Sequence, residues 1–372
     1  MHDNTKIGIT VDFNISPFSN GLQQNIIFLQ KLLEDLDNIQ TDLLFTGNPN
    51  KYQWINKSSC KPLEEILKSD AKNYDLIILM GITMNENKIN ELRRKNPNLK
   101  IIFMHCGNQV AHDIENSIYR NNLNRLITPM RGLDAIWTLP HHELNKQYIK
   151  NYFKCEKVLE VPYLWENFFI EDQINTQKIN REDLIINFKK NKNIVILEPN
   201  LTYQKNCLIP IFIVEEFERN NPGEINKCNV MGVKNLDNTD YLLSLIISMD
   251  IYKKRKNFIK FQDRVPFVNA VSNYGSIVIS HQIQNDLNNL YFDTLYLDLP
   301  LIHNSERISE FGYYYENHNI SDAALLLEEC LKGHYNNLDY YKSNNQKFFL
   351  KHSIKNLNNK KAYFKFIENV IR

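Results

Sequence analysis

Runs of apolar residues of strand length recur along the chain and alternate with stretches whose apolar positions repeat at helical spacing. The run Lys6-Ile7-Gly8-Ile9-Thr10-Val11 passes through a turn-rich loop, Ser16-Pro17-Phe18-Ser19-Asn20-Gly21, into Ile26, Ile27, Leu29, Leu32 and Leu33. That is a strand, a loop and a helix. Further strands are predicted at Asp42–Thr46, Tyr74–Leu79, Lys100–Met104 and Ala135–Leu139, each separated by a helix-length stretch, and Val158–Trp165 reads as the last strand of this half. Strands that are apolar throughout, without alternation, belong to a parallel sheet covered on both faces.

A polar, charged stretch from Glu171 to Lys192 interrupts the rhythm, which restarts at Asn193–Leu197. A helix over Leu208–Phe217 follows, then strands at Lys227–Met231, Asn257–Phe261, Ser276–Ser280 and Leu299–Ile302. From Asn337 to Arg372 the chain reads as helical and is rich in Lys and aromatic residues. The expected architecture is α/β, with two Rossmann-like domains, 1–168 and 193–355, facing one another across a cleft. A linker at 169–192 joins them, and a C-terminal helix, 356–372, returns to the first domain.

A length of 372 residues suits two domains, and 43% hydrophobic with 23% charged residues is ordinary for a folded soluble chain. The net charge of +1 leaves no global basic field for a polyanion, so nucleic acid is not an expected partner. The start, MHDNTKIG, lacks an apolar signal core, and no apolar run is long enough to span a membrane. Six scattered cysteines without CxxC spacing point to reduced thiols, no zinc site and a cytoplasmic location.

In doubly wound domains, ligands sit beyond the carboxyl ends of the strands, so the residues just after each apolar run matter most. After the first strand, Gly21 lets backbone approach a phosphate or sugar, and Gln23 stands beside it. After Met104 come His105, Cys106, Gly107 and Asn108; a histidine there can bond a sugar hydroxyl or move a proton. In the second half, Lys205 precedes a helix and can offset the charge of a diphosphate. A plain turn, a backbone-bonded histidine and a solvated lysine are the bland alternatives, and no one of these residues decides. After Ser280, His281 leads into a segment in which Asn285, Asn289 and Asp293 share one face if Asn285 opens the helix. A carboxylate on that face can accept both hydroxyls of a ribose.

These stretches resemble a GT-B glycosyltransferase. The retaining family-four type has two acidic residues with seven positions between them, and Asn285 and Asp293 keep that separation, with Asn in place of the first acid. Asp293-Thr294-Leu295-Tyr296-Leu297-Asp298-Leu299-Pro300 is in register with the helix and Gly-x-Pro strand start of that type, with Asp298 in place of the Gly. Asn200 and Lys205 have the spacing of its Arg and Lys that hold the donor diphosphate, with Arg264 or Arg307 to supply the missing charge. The second half is similar, more closely, to a poorly characterised bacterial and phage group of glycosyltransferase-like proteins, through Leu197-Glu198-Pro199-Asn200, Ser280-His281-Gln282, Asn288-Asn289-Leu290-Tyr291, His303-Asn304-Ser305 and Gly312-Tyr313-Tyr314-Tyr315.

The resemblance implies transfer of a sugar from a nucleotide-sugar donor to a glycan, lipid-linked or other acceptor, retaining and without a metal or other cofactor. His105, Lys205 and Asp293 are its catalytic candidates. Gly21, Asn200, Lys205, Arg264, His281, Asn285, Asn288, Asn289 and Asp293 would bind the donor, and Gln23 and Asn108 the acceptor. The C-terminal helix could touch a membrane carrying a lipid-linked acceptor. Two other readings stay open: a nucleotide-sugar epimerase of the same fold, and a two-domain binding or scaffold protein without activity. No GxSxG elbow or GxxxxGK[ST] loop supports a serine hydrolase or a P-loop enzyme. Asp35-Leu36-Asp37 ends a predicted helix and reads as surface charge.

Overall fold

A computed structural model of the chain describes residues 5–19, 21–119, 129–233 and 239–372. Asn20, in the first loop, lies outside the described residues. Contacts along the chain define two units, Met1–Glu166 with Leu350–Arg372, and Asn167–Phe349.

The first unit holds β1 (Thr5–Asp12), β2 (Ile39–Thr46), β3 (Cys60–Pro62), β4 (Leu76–Leu79), β5 (Lys100–His105), β6 (Ala135–Thr138) and β7 (Val158–Glu160). They form one sheet in the order β3-β2-β1-β4-β5-β6-β7, every neighbouring pair parallel. Leu76 to Leu79 are fully buried, as a strand covered on both faces requires. The helix Gly21–Glu34 buries Ile26, Ile27, Leu29, Leu32 and Leu33. The last helix, Leu357–Ile371, packs Tyr363 on Trp137 with ring centroids 5.9 Å apart, donates a hydrogen bond from the Tyr363 hydroxyl to the Pro162 carbonyl at 2.7 Å, and pairs Lys360 with Asp35 at 3.1 Å.

The second unit holds β8 (Ile194–Ile196), β9 (Cys228–Met231), β10 (Ile259–Gln262), β11 (Ile277–Ile279), β12 (Leu301–His303) and β13 (Tyr313–Tyr314). Their order is β10-β9-β8-β11-β12-β13, again parallel throughout. Both orders are those of a doubly wound fold: the chain builds one side outward, then crosses back to start the other next to its first strand. The crevice this leaves at the carboxyl ends lies between β1 and β4 in one unit and between β8 and β11 in the other.

The stretch 169–192, expected as a linker with part of it helical, holds the helices Phe168–Gln177 and Arg181–Asn191 and falls within the second unit. Most of its charges are exposed, but Phe169, Ile170, Ile174, Leu184 and Phe188 are buried, and a polar count over the whole stretch hides that apolar side. The strands β3 and β13 had no sequence signal, because two or three residues are too few to show a period.

Candidate functional site

In the second unit, the loops that leave β8 and β11 are fastened to each other. The Ile283 N–H donates to the Gln204 carbonyl at 3.0 Å, the Gln204 Nε2 donates to the Ile283 carbonyl at 2.8 Å, and Lys205 and Gln282 pair as an antiparallel bridge. Asn304, after β12, clamps the same segment: its Oδ1 accepts from the Gln282 N–H at 2.9 Å, and its Nδ2 donates to the Gln282 carbonyl at 3.0 Å. Three strand ends are thereby joined at the switch point of the sheet.

A carboxylate lies beneath. Glu198 has no exposed surface; it accepts from the Ser280 hydroxyl and, at 3.1 Å, from the Gln282 Nε2. Burial pushes this carboxyl up to about 7, against lowering by the Ser280 hydroxyl, the Lys205 ammonium and the Gln282 amide. The Ser280 Oγ also lies 3.3 Å from the buried Tyr291 hydroxyl. Burial pushes the Lys205 ammonium down; Glu198 raises it, and the Arg264 guanidinium lowers it again. Arg264 is itself pushed down by burial.

The other expected donor residues sort by what their side chains already do. Asn200 has a left-handed backbone, φ +53°, which Asn tolerates, and its amide serves its own loop. The Nδ2 donates to the Glu198 carbonyl at 2.9 Å and the Met231 carbonyl at 3.2 Å, while the Oδ1 accepts from the Cys207 N–H at 2.9 Å. Asn206 accepts from the Leu208 N–H at 3.0 Å, and Pro210 has no N–H. The start of the helix Leu208–Asn220 is therefore largely bonded from within its own loop. The His281 Nδ1 lies 2.8 Å from the Tyr315 hydroxyl and its buried Nε2 has no hydrogen-bond partner; burial lowers its pKa to about 4, so the ring is neutral.

The helix expected to open at Asn285 begins four residues later, as Asn289–Tyr296, with the Asn288 Oδ1 accepting from the Tyr291 N–H at 3.3 Å. The Gln282 Oε1 draws in the Nδ2 of Asn285 and, at 3.2 Å, that of Asn288, so the chain turns there. Asn285 consequently does not share a helical face with Asn289 and Asp293. Asp293 is buried within that helix. Asp298, at the customary Gly position, has φ +54°, a left-handed helix end that Gly takes most easily and Asp tolerates.

The remaining candidates belong to the first unit. Gly21 is the first residue of its helix, the buried Gln23 Nε2 donates to the Asp12 carbonyl at 3.0 Å, and the Asn108 Oδ1 caps the Ala111 N–H at 3.0 Å. His105 stacks on Phe103 with centroids 5.2 Å apart and meets Phe153 edge-on. Burial lowers its pKa to about 4, so it carries no charge near neutrality.

The structure thus joins Lys205, Asn285 and Asn288 through Gln282, next to His281, and adds Glu198, Ser280, Tyr291 and Asn304 to the same cluster; none of these bonds involves Arg264. The signal for Glu198 was a lone carboxylate following Ile194-Val195-Ile196-Leu197 without a break.

The model of a family described as "Protein of unknown function (DUF2827)" matches residues 7–367. No curated protein matches the chain in sequence. Among solved structures, it is similar to the N-terminal domain of trehalose-6-phosphate phosphatase from Candida albicans, at TM-score 0.63 and 12% identity, covering 99% of this chain and 96% of that one. It is similar to a UDP-forming α,α-trehalose-phosphate synthase from Burkholderia xenovorans, at TM-score 0.61 and 11% identity, covering 99% and 100%. It is also similar to HepE from Anabaena in complex with UDP and glucose, at TM-score 0.57 and 13% identity, covering 98% and 100%. At such identities the likeness shows the fold, that of GT-B glycosyltransferases. No helix among the described residues is long and apolar enough to cross a membrane.

Proposed function

This chain belongs to the family described as "Protein of unknown function (DUF2827)", and we propose that it is a glycosyltransferase whose second unit binds a nucleotide-sugar donor and passes the sugar, with retention, to a glycan, lipid-linked or other acceptor. The observation that carries this reading is the fastening of the loops after β8, β11 and β12 to one another at the carboxyl ends of the second sheet, with Lys205 in the joined segment. Burial disfavours the Lys205 ammonium, and an anion brought to it relieves that cost. A diphosphate fits that charge, and the switch point of a doubly wound sheet is where nucleotides bind.

Catalysis follows from the same ammonium. As the bond between the sugar and the diphosphate lengthens, negative charge collects on the departing phosphate oxygen, and a cation already fixed in place stabilises it without reorganising. Lys205 is held by its bridge to Gln282 and by the turn in which its N–H donates to the Thr202 carbonyl at 3.1 Å. Asp293 is the proposed acceptor of the donor's hydroxyls, and His105, neutral in the first unit, the proposed contact to the transferred sugar. That HepE was solved with UDP and glucose supports UDP-sugars as the first donors to try.

The test is thermal unfolding with a panel of UDP-, GDP-, TDP- and CMP-sugars, followed by turnover with and without acceptors. A donor at about 100 times its Kd should stabilise the fold by about 2.7 kcal/mol, a rise of about 5–10 °C. Conversion of donor without acceptor would instead mark an epimerase, and no shift with any donor a binding protein without this activity.

A further inference from the structure

One stretch on the surface of the second unit takes no part in the donor site. The helices Thr239–Ser248 and Asp250–Lys254 follow β9 and meet at Met249, whose extended backbone, φ −70° and ψ 149°, turns the chain between them. Leu242, Ile246, Met249 and Ile251 are buried in the core of the unit. As many apolar residues stand on the other side: Tyr241 is 67% exposed, Leu243 40%, Ile247 52% and Tyr252 40%. Leu243 and Ile247 lie one turn apart and share a face. A helix that only packed on the sheet would carry polar residues there, and an apolar face left to water marks an interaction surface.

The charges beside it select the partner. Lys253 and Lys254 end the second helix and Lys256 follows, all three exposed and none in an ion pair among the described residues. Arg255 between them turns inward instead: it pairs with Glu218 at 2.6 Å, donates to the Ile225 carbonyl at 2.8 Å and lies 4.4 Å from the centre of the Phe258 ring. Of the acids in this stretch, Asp250 faces Arg219 at 4.0 Å and Asp240 sits at the far end from the lysines. A polyanion such as RNA would satisfy the lysines and leave Leu243 and Ile247 in water. A bilayer of anionic lipid takes both, with the aliphatic side chains at the acyl boundary, the tyrosines at headgroup level and the lysines on the lipid phosphates. We propose that these two helices are a docking surface for an anionic phospholipid membrane, which they meet through Tyr241, Leu243, Ile247 and Tyr252 with Lys253, Lys254 and Lys256 on the headgroups. The last helix, the membrane contact expected from the sequence, buries Tyr363, Ile367 and Val370 and pairs Lys360 with Asp35. The proposal does not depend on sugar transfer, and its failure would leave that reading standing.

The experiment is cosedimentation of the full chain with vesicles of phosphatidylcholine alone and of phosphatidylcholine mixed with phosphatidylglycerol, at low and high salt. The expected result is binding to the anionic vesicles, little to the zwitterionic ones, and release by salt. A lysine beside an anionic surface contributes about a fivefold factor, so the combined change Lys253→Gln, Lys254→Gln and Lys256→Gln should weaken binding by about 100-fold. Leu243→Ser with Ile247→Ser should weaken it too at unchanged charge, which a purely electrostatic contact would not show. All five side chains are exposed, so both variants should melt like the unaltered protein. No sedimentation with anionic vesicles overturns the proposal. Undiminished binding by the lysine variant overturns it by placing the contact elsewhere, and undiminished binding by the apolar variant overturns it by leaving only a site for polyanions. Should either variant fail to fold, hydrogen exchange of the unaltered protein decides: slower exchange over 239–256 on adding anionic vesicles supports the proposal, and unchanged exchange there overturns it.

Discussion

Replacing Lys205 by Met separates binding from stability, because the two respond in opposite directions. Met keeps most of the stem and removes the ammonium. An ionised hydrogen-bond partner contributes about 1.5–3 kcal/mol, so affinity for UDP should fall about 10- to 150-fold. Stability moves the other way. Burial pushes the Lys205 ammonium down, which means that the folded state disfavours its charge, and Arg264 disfavours it further. Glu198, which Lys205 helps to keep ionised, takes a proton near pH 7 in any case, so losing the cation strands little charge. The melting temperature of Lys205→Met should therefore hold or rise, by about 2–4 °C for each kcal/mol recovered in a unit of this size. Calorimetry with UDP and thermal unfolding without ligand measure the two arms. A variant that melts several degrees lower and binds UDP as tightly as the unaltered protein would refute the reasoning, since it would make Lys205 a structural residue.

Asn304→Ala removes two hydrogen bonds to the Gln282 backbone, at 2.9 and 3.0 Å, and should lower stability by about 1–3 kcal/mol and weaken UDP binding together, a pattern that thermal unfolding and calorimetry distinguish from that of Lys205→Met. Gly312→Ala places a Cβ 2.9 Å from the Leu301 carbonyl and 3.1 Å from the His303 ring at φ +71°, and should cost about 2 kcal/mol, read as a melting point about 4–8 °C lower. Burial lowers His105, His281, His303, His334 and His352 to about 4, below the unfolded value of about 6.5, so the unfolded chain binds more protons between those values and stability should fall as pH drops from about 6.5 toward 4; a urea midpoint unchanged between pH 7 and 5 would contradict this.

The sheets were legible because a strand buried on both faces writes itself as an unbroken apolar run: Leu76 to Leu79 and Ile277 to Ile279 need no partner to be recognised. The edge strands Cys60–Pro62 and Tyr313–Tyr314 are defined by their neighbours' hydrogen bonds, which no local pattern encodes. The misplaced helix start has the same origin. Asn285 and Asn288 are both good caps by residue type, and what selects Asn288 is the Gln282 amide, which reaches both side chains from the end of β11. Asn200 shows the converse: its spacing to Lys205 suggested a ligand contact, whereas the fold engages both ends of its amide in shaping the loop that presents the lysine.

These displacements follow one rule. A side chain that bonds within its own loop can be read as either a site residue or a brace, and the choice depends on groups brought in from other strands. Glu198 was the hardest to read for that reason. On its own it is a single acid after an apolar run. Its meaning arises only when Ser280 and Gln282, just after β11, fix it from a different strand.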